Sequence, residues 1–238
     1  MRYSRCLILA GAVAAATPSV AMDVLGTEWK GAGEFGYVAT SGNTDTQSLS
    51  AKIHLGHERA KWRHTLNLEA LNNADNDVTT AERYAGNWQT DYKFTEFDYI
   101  FGRLAYETDK FSGYDYRTSE TLGYGRRVLK TPRMTLDLEA GAGARQSRLE
   151  TDGTEHETIA RLAGRYAWQI SPTAKFTEDL STEIGADATI TRSVTALQTD
   201  ILGNLAMKLS YTVENTSDVP PGVEKTDTET MVSLVYKF

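Results

Sequence analysis

The chain has 238 residues, a formal net charge of −7, a hydrophobic fraction of 40% and a mean hydropathy of −0.42. An aromatic content of 10% gives too much apolar surface for a disordered chain. The acidic balance argues against a nucleic-acid partner, since phosphate contacts need clustered Lys and Arg. Outside the N-terminus, no apolar run approaches the roughly 20 residues of a membrane-spanning helix. These values exclude a multi-span helical membrane protein but not a membrane β-barrel, whose polar half keeps the mean hydropathy low.

Residues 1–21 have the pattern of a secretory signal peptide. A basic start with two arginines precedes an apolar, Ala-rich stretch, and small residues precede the predicted cleavage after Ala21. The apolar stretch is too short to cross a membrane as a helix. Cys6 is the only cysteine, so the mature chain would contain no disulfide. We therefore predict an exported protein with a single domain over 22–238.

Beyond residue 23, apolar and polar side chains alternate with a period of two. Over 134–145, for example, the even positions carry Met, Leu and Ala, whereas the odd positions carry Thr, Asp, Glu, Gly and Arg. Because successive side chains of a strand point to opposite faces, each such segment has one apolar and one polar face. The pattern predicts twelve strands, over 28–40, 46–58, 62–73, 81–94, 98–110, 115–129, 134–148, 156–170, 174–185, 189–201, 205–216 and 226–238. They are longer than the about 5–6 residues of a soluble strand and suit a tilted membrane-crossing strand, which needs about 9–11.

The connections between the strands also favour a membrane barrel. Tight connections, such as 59–61 and 171–173, alternate with longer ones, such as 73–80 and 217–225. Outer-membrane barrels have an even strand count, short turns at one end and longer loops at the other. Aromatic residues fall largely on the apolar face near the tight turns, as in an interfacial girdle. We therefore predict an all-β fold, a transmembrane antiparallel up-and-down β-barrel of about 12 strands. It would be a monomer in the cell outer membrane, in contact with lipids and lipopolysaccharide.

The polar face of the predicted strands would line the barrel lumen with charges of both signs. The inward positions predict a lumen charge network that includes Arg63, Glu69, Arg103, Glu107, Asp137, Glu139, Arg145, Arg161 and Arg165. Two interpretations stay open. The charged groups either fill and stiffen a narrow interior, or they line a permeation path whose charge sets its selectivity.

Candidate catalytic residues are few. His54 and His57 are three residues apart on a predicted strand and would face opposite sides, so they cannot bind one metal ion together. No Gly-x-Ser-x-Gly nucleophile motif is present. We therefore expect no enzyme, no catalytic residue, no cofactor and no metal site. The alternatives are a barrel enzyme acting on lipid or lipopolysaccharide and a soluble periplasmic binding barrel.

Two stretches of the chain resemble a known family. The sequence GYVATSGNTDT over 36–46 resembles the N-terminal signature of the YdiY-like, salt-stress-induced outer-membrane proteins, and 224–228 with 234–238 resembles that family's C-terminal end. The resemblance implies insertion by the outer-membrane barrel assembly machinery, with Tyr236 and Phe238 as the assembly signal. It also implies a structural or salt- and osmotic-stress-related role in the envelope, and it supplies no catalytic residues.

Overall fold

A computed structural model describes residues 29–40, 46–75, 78–109, 114–149, 153–219 and 222–238. The predicted signal peptide lies outside these residues. They form twelve strands: β1 Trp29–Thr40, β2 Thr46–Glu58, β3 Trp62–Asp75, β4 Val78–Lys93, β5 Asp98–Asp109, β6 Tyr114–Lys130, β7 Met134–Leu149, β8 Thr154–Gln169, β9 Ala174–Ile184, β10 Thr189–Leu202, β11 Leu205–Thr216 and β12 Thr226–Lys237. Each strand pairs antiparallel with the next, and β1 pairs with β12, so the sheet closes into a barrel. Within the described ranges, no helix is long and apolar enough to cross a membrane.

The predicted barrel of twelve strands is confirmed, but one predicted loop is wrong. The sequence predicted a long connection over 73–80, whereas β3 continues to Asp75 and β4 already begins at Val78. A register shift after Asn73 keeps the two strands paired up to these ends. The physical reason is that strands extending beyond the lipid need no apolar face, so the alternation fades before the hydrogen-bonded ladder does.

The barrel has two ends, which we name by their connections. The turn end holds the connections 59–61, 94–97, 131–133, 170–173 and 203–204, together with Trp29 and Phe238. The loop end is the opposite one and holds the connection 217–225. Because all neighbouring strands are antiparallel, every second connection falls at the same end.

The outer wall of the barrel is apolar and the lumen is polar. Leu104, Leu122 and Leu162 are 59%, 75% and 52% exposed on the outside, whereas the neighbouring Thr121 and Arg161 are buried in the interior. A soluble barrel has the opposite arrangement, with its apolar side chains inside. This inverted distribution is the one that a lipid environment requires, and it favours the membrane barrel over the soluble binding barrel.

Many aromatic side chains border the apolar wall, but some point inward. Paired rings on the outer wall include Tyr106–Tyr116 towards the loop end and Phe94–Tyr124, Tyr166–Phe176 and Tyr236–Phe238 towards the turn end. Tyr99 and Phe101 of β5 are instead only 3% and 2% exposed, inside the barrel. Their rings pack over glycines of β6. A Cβ added to Gly125 would lie only 2.3 Å from the Tyr99 ring, and a Cβ added to Gly123 would lie only 2.6 Å from the Phe101 ring, which is too close for a side chain. These glycines therefore make room for aromatic rings in the lumen.

The barrel closes at a short seam between β1 and β12. Four residue pairs join these strands, from Ala32–Lys237 to Phe35–Leu234. Phe238 extends the seam, because its backbone N–H donates to the Gly31 oxygen at 2.9 Å and its oxygen accepts from the Gly31 N–H at 2.7 Å. The predicted assembly residues Tyr236 and Phe238 both lie on the outer wall. Their role as an assembly signal stays a prediction.

Candidate functional site: the ion-paired lumen

All nine residues of the predicted charge network lie on the lumen side of the barrel wall. Each of them makes at least one ion pair with another lumen residue. The pairs form four groups along the barrel axis, described in turn below. Many of the pairs join neighbouring strands, as in Arg83–Glu107 and Arg161–Glu139, whereas others, such as Arg63–Asp137 and Arg83–Glu214, join strands that are not neighbours in the sheet.

The turn-end cluster consists of Arg63, Asp91, Arg127 and Asp137. Arg63 donates from Nε to Asp91 Oδ2 at 2.5 Å and from Nη1 to Asp137 Oδ2 at 3.2 Å. Arg127 holds Asp137 with two hydrogen bonds of 2.6 and 2.9 Å. The Arg63 guanidinium also lies over the Tyr99 ring, 4.8 Å from its centre. Because β3 and β7 are four strands apart, the Arg63–Asp137 pair crosses the lumen.

The middle cluster is built around Glu139, whose side chain is 1% exposed. Its carboxylate accepts hydrogen bonds from Gln89 Nε2 at 2.8 Å, the Tyr99 hydroxyl at 3.0 Å and Arg161 Nη1 at 3.3 Å. Arg165 Nη2 donates to the same carboxylate. Charged groups are costly to bury unless they are paired and hydrogen-bonded, and Glu139 meets both conditions.

Glu183 lies deeper towards the loop end and faces three guanidinium groups. Arg103 Nη1 is 3.4 Å from its carboxylate, Arg161 Nε 3.8 Å and Arg145 Nη1 3.9 Å. These distances are long for charge-assisted hydrogen bonds, which measure about 2.7–2.9 Å. Arg145 is held more closely on its other side, where Nη2 contacts Glu157 Oε1 at 2.5 Å.

The loop-half cluster is built around Glu214 of β11. Its carboxylate accepts hydrogen bonds from Arg192 at 2.8 Å, Arg117 at 3.2 Å and Arg83 at 3.3 Å. The same arginines also pair with Glu69 and Glu107. Both β4 and β6 lie five positions from β11 around the barrel, so these contacts join nearly opposite walls. The loop-half cluster therefore bridges the lumen.

A cavity of about 160 Å³ lies in the lumen between the Glu183 site and the loop-half cluster. Its charged lining consists of Arg83, Arg103, Arg117, Arg145 and Arg192 with Glu69, Glu107, Glu183 and Glu214. Five cationic and four anionic side chains thus surround one small polar space.

The sequence prediction missed several members of these groups, namely Glu34, Arg117, Arg127, Glu157, Arg192, Glu214 and the hydroxyl of Tyr99. The alternation contained the signal for Glu214, because it has the same parity in β11 as Lys208, whose side chain also lies on the lumen side. Lys208 contacts Glu34 at 2.6 Å. Tyr99 has the same parity in β5 as Arg103 and Glu107, so the alternation placed it on the lumen side as well, although an aromatic residue of a barrel strand is more often expected on the lipid side.

The histidines take part in local contacts on both faces of the wall. His54 faces the lumen, where its Nδ1 is 2.6 Å from Asn67 Oδ1. His57 and His64 lie on the outer wall with ring centres 5.9 Å apart, and His57 also stacks on Trp29 at 5.0 Å. In the part of the chain that the structure describes, no group of three or more His, Cys, Asp or Glu side chains is arranged to hold a metal ion.

The outer wall carries an unexpected carboxylate in the middle of the apolar band. Glu120 of β6 pairs with the outward Leu104 and is exposed. It lies four residues from each of Tyr116 and Tyr124, about 13 Å along the strand at the usual rise. It also borders a groove of about 660 Å³ on the lipid side, lined with Trp88, Gly102, Leu104, Leu122, Ala142 and Ala144.

Comparison with known sequences identifies relatives over nearly the whole barrel. The model of the family described as "Protein of unknown function, DUF481" matches residues 33–238. The chain is also 35% identical over 207 residues to "Uncharacterized protein YdiY" of Escherichia coli (strain K12). The aligned region covers 85% of this chain and 81% of that protein. These matches confirm the resemblance found in the sequence.

Solved structures with a similar fold include two outer-membrane barrels. The NanC porin superposes with a TM-score of 0.54 at 10% identity, over 88% of this chain and 98% of that one. An outer membrane channel from Pseudomonas putida F1 superposes with a TM-score of 0.51 at 12% identity, over 89% of this chain and 96% of that one. At these identities the likeness shows the fold, an outer-membrane β-barrel.

Proposed function

The chain belongs to the DUF481 family, whose description assigns no activity, and we propose that it is a narrow outer-membrane channel closed at rest by ion pairs across its lumen. In this proposal the signal peptide directs export, the turn end faces the periplasm and the loop end faces outward. The channel would act in the response of the envelope to salt or osmotic stress, as the sequence resemblance implies.

The observation that carries this proposal is the set of ion pairs between nearly opposite walls. Glu214 binds three arginines from β4, β6 and β10, and two of these strands lie five positions away around the barrel. A lumen that served only as a filled interior could be packed with apolar groups, since a buried ion pair often adds little net stability over apolar side chains of similar volume. Because several charged groups of the lumen share partners, one ion pair can instead break while the others remain. The broken pair then leaves a polar path through the lumen.

The size of the barrel agrees with a narrow path. Twelve strands lie between the about 8 strands of small filled barrels and the 16–18 strands of porins with open aqueous channels. The porin and the channel that share this fold support a transport function without specifying a solute. The central carboxylates of the lumen clusters, such as Glu139 and Glu214, are paired with arginines, which supports a role in the ion-paired network.

Conductance in planar bilayers tests the channel. The informative variant is the double substitution Arg83→Ala and Glu214→Ala, which removes both ion pairs that Glu214 makes across the lumen and leaves Arg117 paired with Glu107 and Arg192 with Glu69. We expect stepwise currents from the refolded wild-type protein and a larger unitary conductance from the double variant. The matched control removes an exposed ion pair at the loop end, Arg148→Ala with Asp115→Ala, and should conduct like the wild type.

Two results would contradict the channel. One is the absence of stepwise current from both monodisperse wild-type protein and the double variant. The other is an equal increase in the unitary conductance of the control variant, because its exposed ion pair does not cross the lumen. The stress role is tested separately: cells lacking the protein should grow more slowly at high salt, and the wild-type gene should restore growth. Unchanged growth of the deletion strain at every salt concentration would remove the stress role and leave the channel untouched.

A further inference from the structure

We infer that the lumen contains a specific binding site for a small oxyanion, a carboxylate or phosphate group, between Arg103 and Arg145. The site deepens the proposed channel function and rests on it for access from either side of the membrane. Binding itself does not depend on conduction, so the two can be tested apart.

The first argument is the crowding of guanidinium groups around Glu183. Arg103, Arg145 and Arg161 all approach this one carboxylate, at 3.4, 3.9 and 3.8 Å. Arg145 also pairs with Glu157, and Arg161 and Arg165 both pair with Glu139. Asp179 lies opposite Arg165 in the strand register, so the four guanidinium groups meet four carboxylates, but none of the three arginines around Glu183 contacts Glu183 at the distance of a close charge-assisted hydrogen bond.

The second argument is the set of N–H groups without an acceptor. Arg145 is 2% exposed at its side chain, and its Nη1 is buried without a hydrogen-bond partner. Arg161 Nε is likewise buried and unpartnered. Arg103 has one hydrogen-bond acceptor among the described residues, Glu183 at 3.4 Å, although a guanidinium carries five N–H donors. A buried donor without an acceptor costs about 1–3 kcal/mol, so these groups favour an additional acceptor.

The third argument is the space beside these groups. The cavity of about 160 Å³ is lined by Arg103, Arg145, Ser119 and Ser181. A cavity of this size has room for a small oxyanion with several water molecules. The planar fork of a guanidinium matches a carboxylate or phosphate group with two parallel hydrogen bonds, which a chloride ion cannot accept in the same way. The geometry therefore favours an oxyanion over chloride.

Thermal unfolding of the refolded barrel in detergent measures binding without any current. Sodium phosphate and sodium acetate, each at millimolar concentration, are compared with sodium chloride at equal ionic strength. A ligand that binds the folded state raises Tm with a dependence that saturates, whereas the general stabilising effect of phosphate salts on proteins does not saturate at low concentration. We expect saturating increases with phosphate and acetate and a smaller effect with chloride.

Substitutions at Arg103 assign the effect to the proposed site. Arg103→Gln should raise the half-saturating phosphate concentration about tenfold, since a hydrogen bond to a charged group contributes enough for a factor of this order. Arg103→Lys keeps the charge but not the fork and should give a smaller loss. Arg148→Gln, an exposed arginine at the loop end, should bind phosphate like the wild type. Only the anion-dependent change in Tm is compared, so a change in the starting stability of a variant does not affect the result.

The outcomes separate this site from the channel proposal. Saturating, Arg103-dependent stabilisation by phosphate in a protein that gives no current would support the oxyanion site and overturn the channel. Stepwise currents in a protein whose Tm responds equally to phosphate in the wild type and in Arg103→Gln would support the channel and overturn the site. An equal change in Tm with phosphate and with chloride would also overturn the oxyanion site, because the planar fork of a guanidinium should favour an oxyanion over chloride.

Discussion

Replacement of Glu139 by Gln tests how strongly the lumen depends on one buried carboxylate. Glu139 accepts hydrogen bonds from Gln89, Tyr99, Arg161 and Arg165. The amide has nearly the same shape, but it is neutral and replaces one acceptor oxygen by an NH₂ donor. Arg161 then keeps only Glu183, at 3.8 Å, and Arg165 keeps no ion pair among the described residues.

The expected loss of stability follows from the burial of these groups. Removal of one partner from a buried ion pair costs about 3–5 kcal/mol, because the other charge stays buried without compensation. The Arg165 side chain is 36% exposed and can regain some hydration, so we expect the lower end of this range, about 3 kcal/mol. Asp115→Asn is the matched control. Its partner Arg148 and Asp115 itself are both more than half exposed, and such surface pairs contribute about 0–1 kcal/mol.

Urea unfolding of the refolded protein, followed by the fluorescence of its 4 tryptophans, measures both variants. A third variant, Glu139→Leu with Arg165→Leu, removes both charges and keeps apolar volume. It should lose less stability than Glu139→Gln, since an ion pair replaced by apolar groups leaves fewer uncompensated charges. Equal losses for Glu139→Gln and Asp115→Asn would refute the reasoning, because they would mean that the lumen is hydrated well enough to screen its charges.

Three further predictions concern the wall and the seam. Leu66→Arg, on the outer wall four residues above the aromatic Trp62, should lower the free energy of unfolding by about 2–4 kcal/mol, whereas Asn67→Arg on the lumen side should lower it less. Equal losses in urea unfolding would contradict the assignment of faces. Glu120→Leu should raise stability in vesicles, because it removes a carboxylate from the apolar band; a loss of stability would indicate that Glu120 has a partner there. Deletion of Phe238 should slow assembly in cells, measured by the folded fraction in the outer membrane, since it removes the two backbone hydrogen bonds to Gly31.

The barrel could be predicted from the sequence because its main signal is local. Alternation with a period of two depends only on neighbouring residues, and it gives the number of strands and the face of each side chain. The prediction erred where this signal fades, as in the connection over 73–80, which is much shorter in the structure. The ladder there is held by backbone hydrogen bonds, which are independent of side-chain polarity.

The nine predicted lumen residues illustrate the limit of the same signal. Alternation places Arg63 and Asp137 on the lumen side, but it contains no information that the two meet across the barrel at 3.2 Å. Likewise, Arg83 and Glu214 are 131 residues apart in sequence and contact each other at 3.3 Å. Such partners depend on ring closure and on the stagger between strands, which no single segment specifies.

The sequence by itself determined the strand count, the apolar outer wall and the charged lumen, since each follows from the pattern within one strand. The tertiary structure decided which charges are paired, which guanidinium groups are left without an acceptor and where the cavity lies. It also decided how the inward Tyr99 and Phe101 pack, because glycines on the adjacent strand leave space for their rings. These features are properties of the closed ring, in which side chains from distant parts of the chain share one narrow interior.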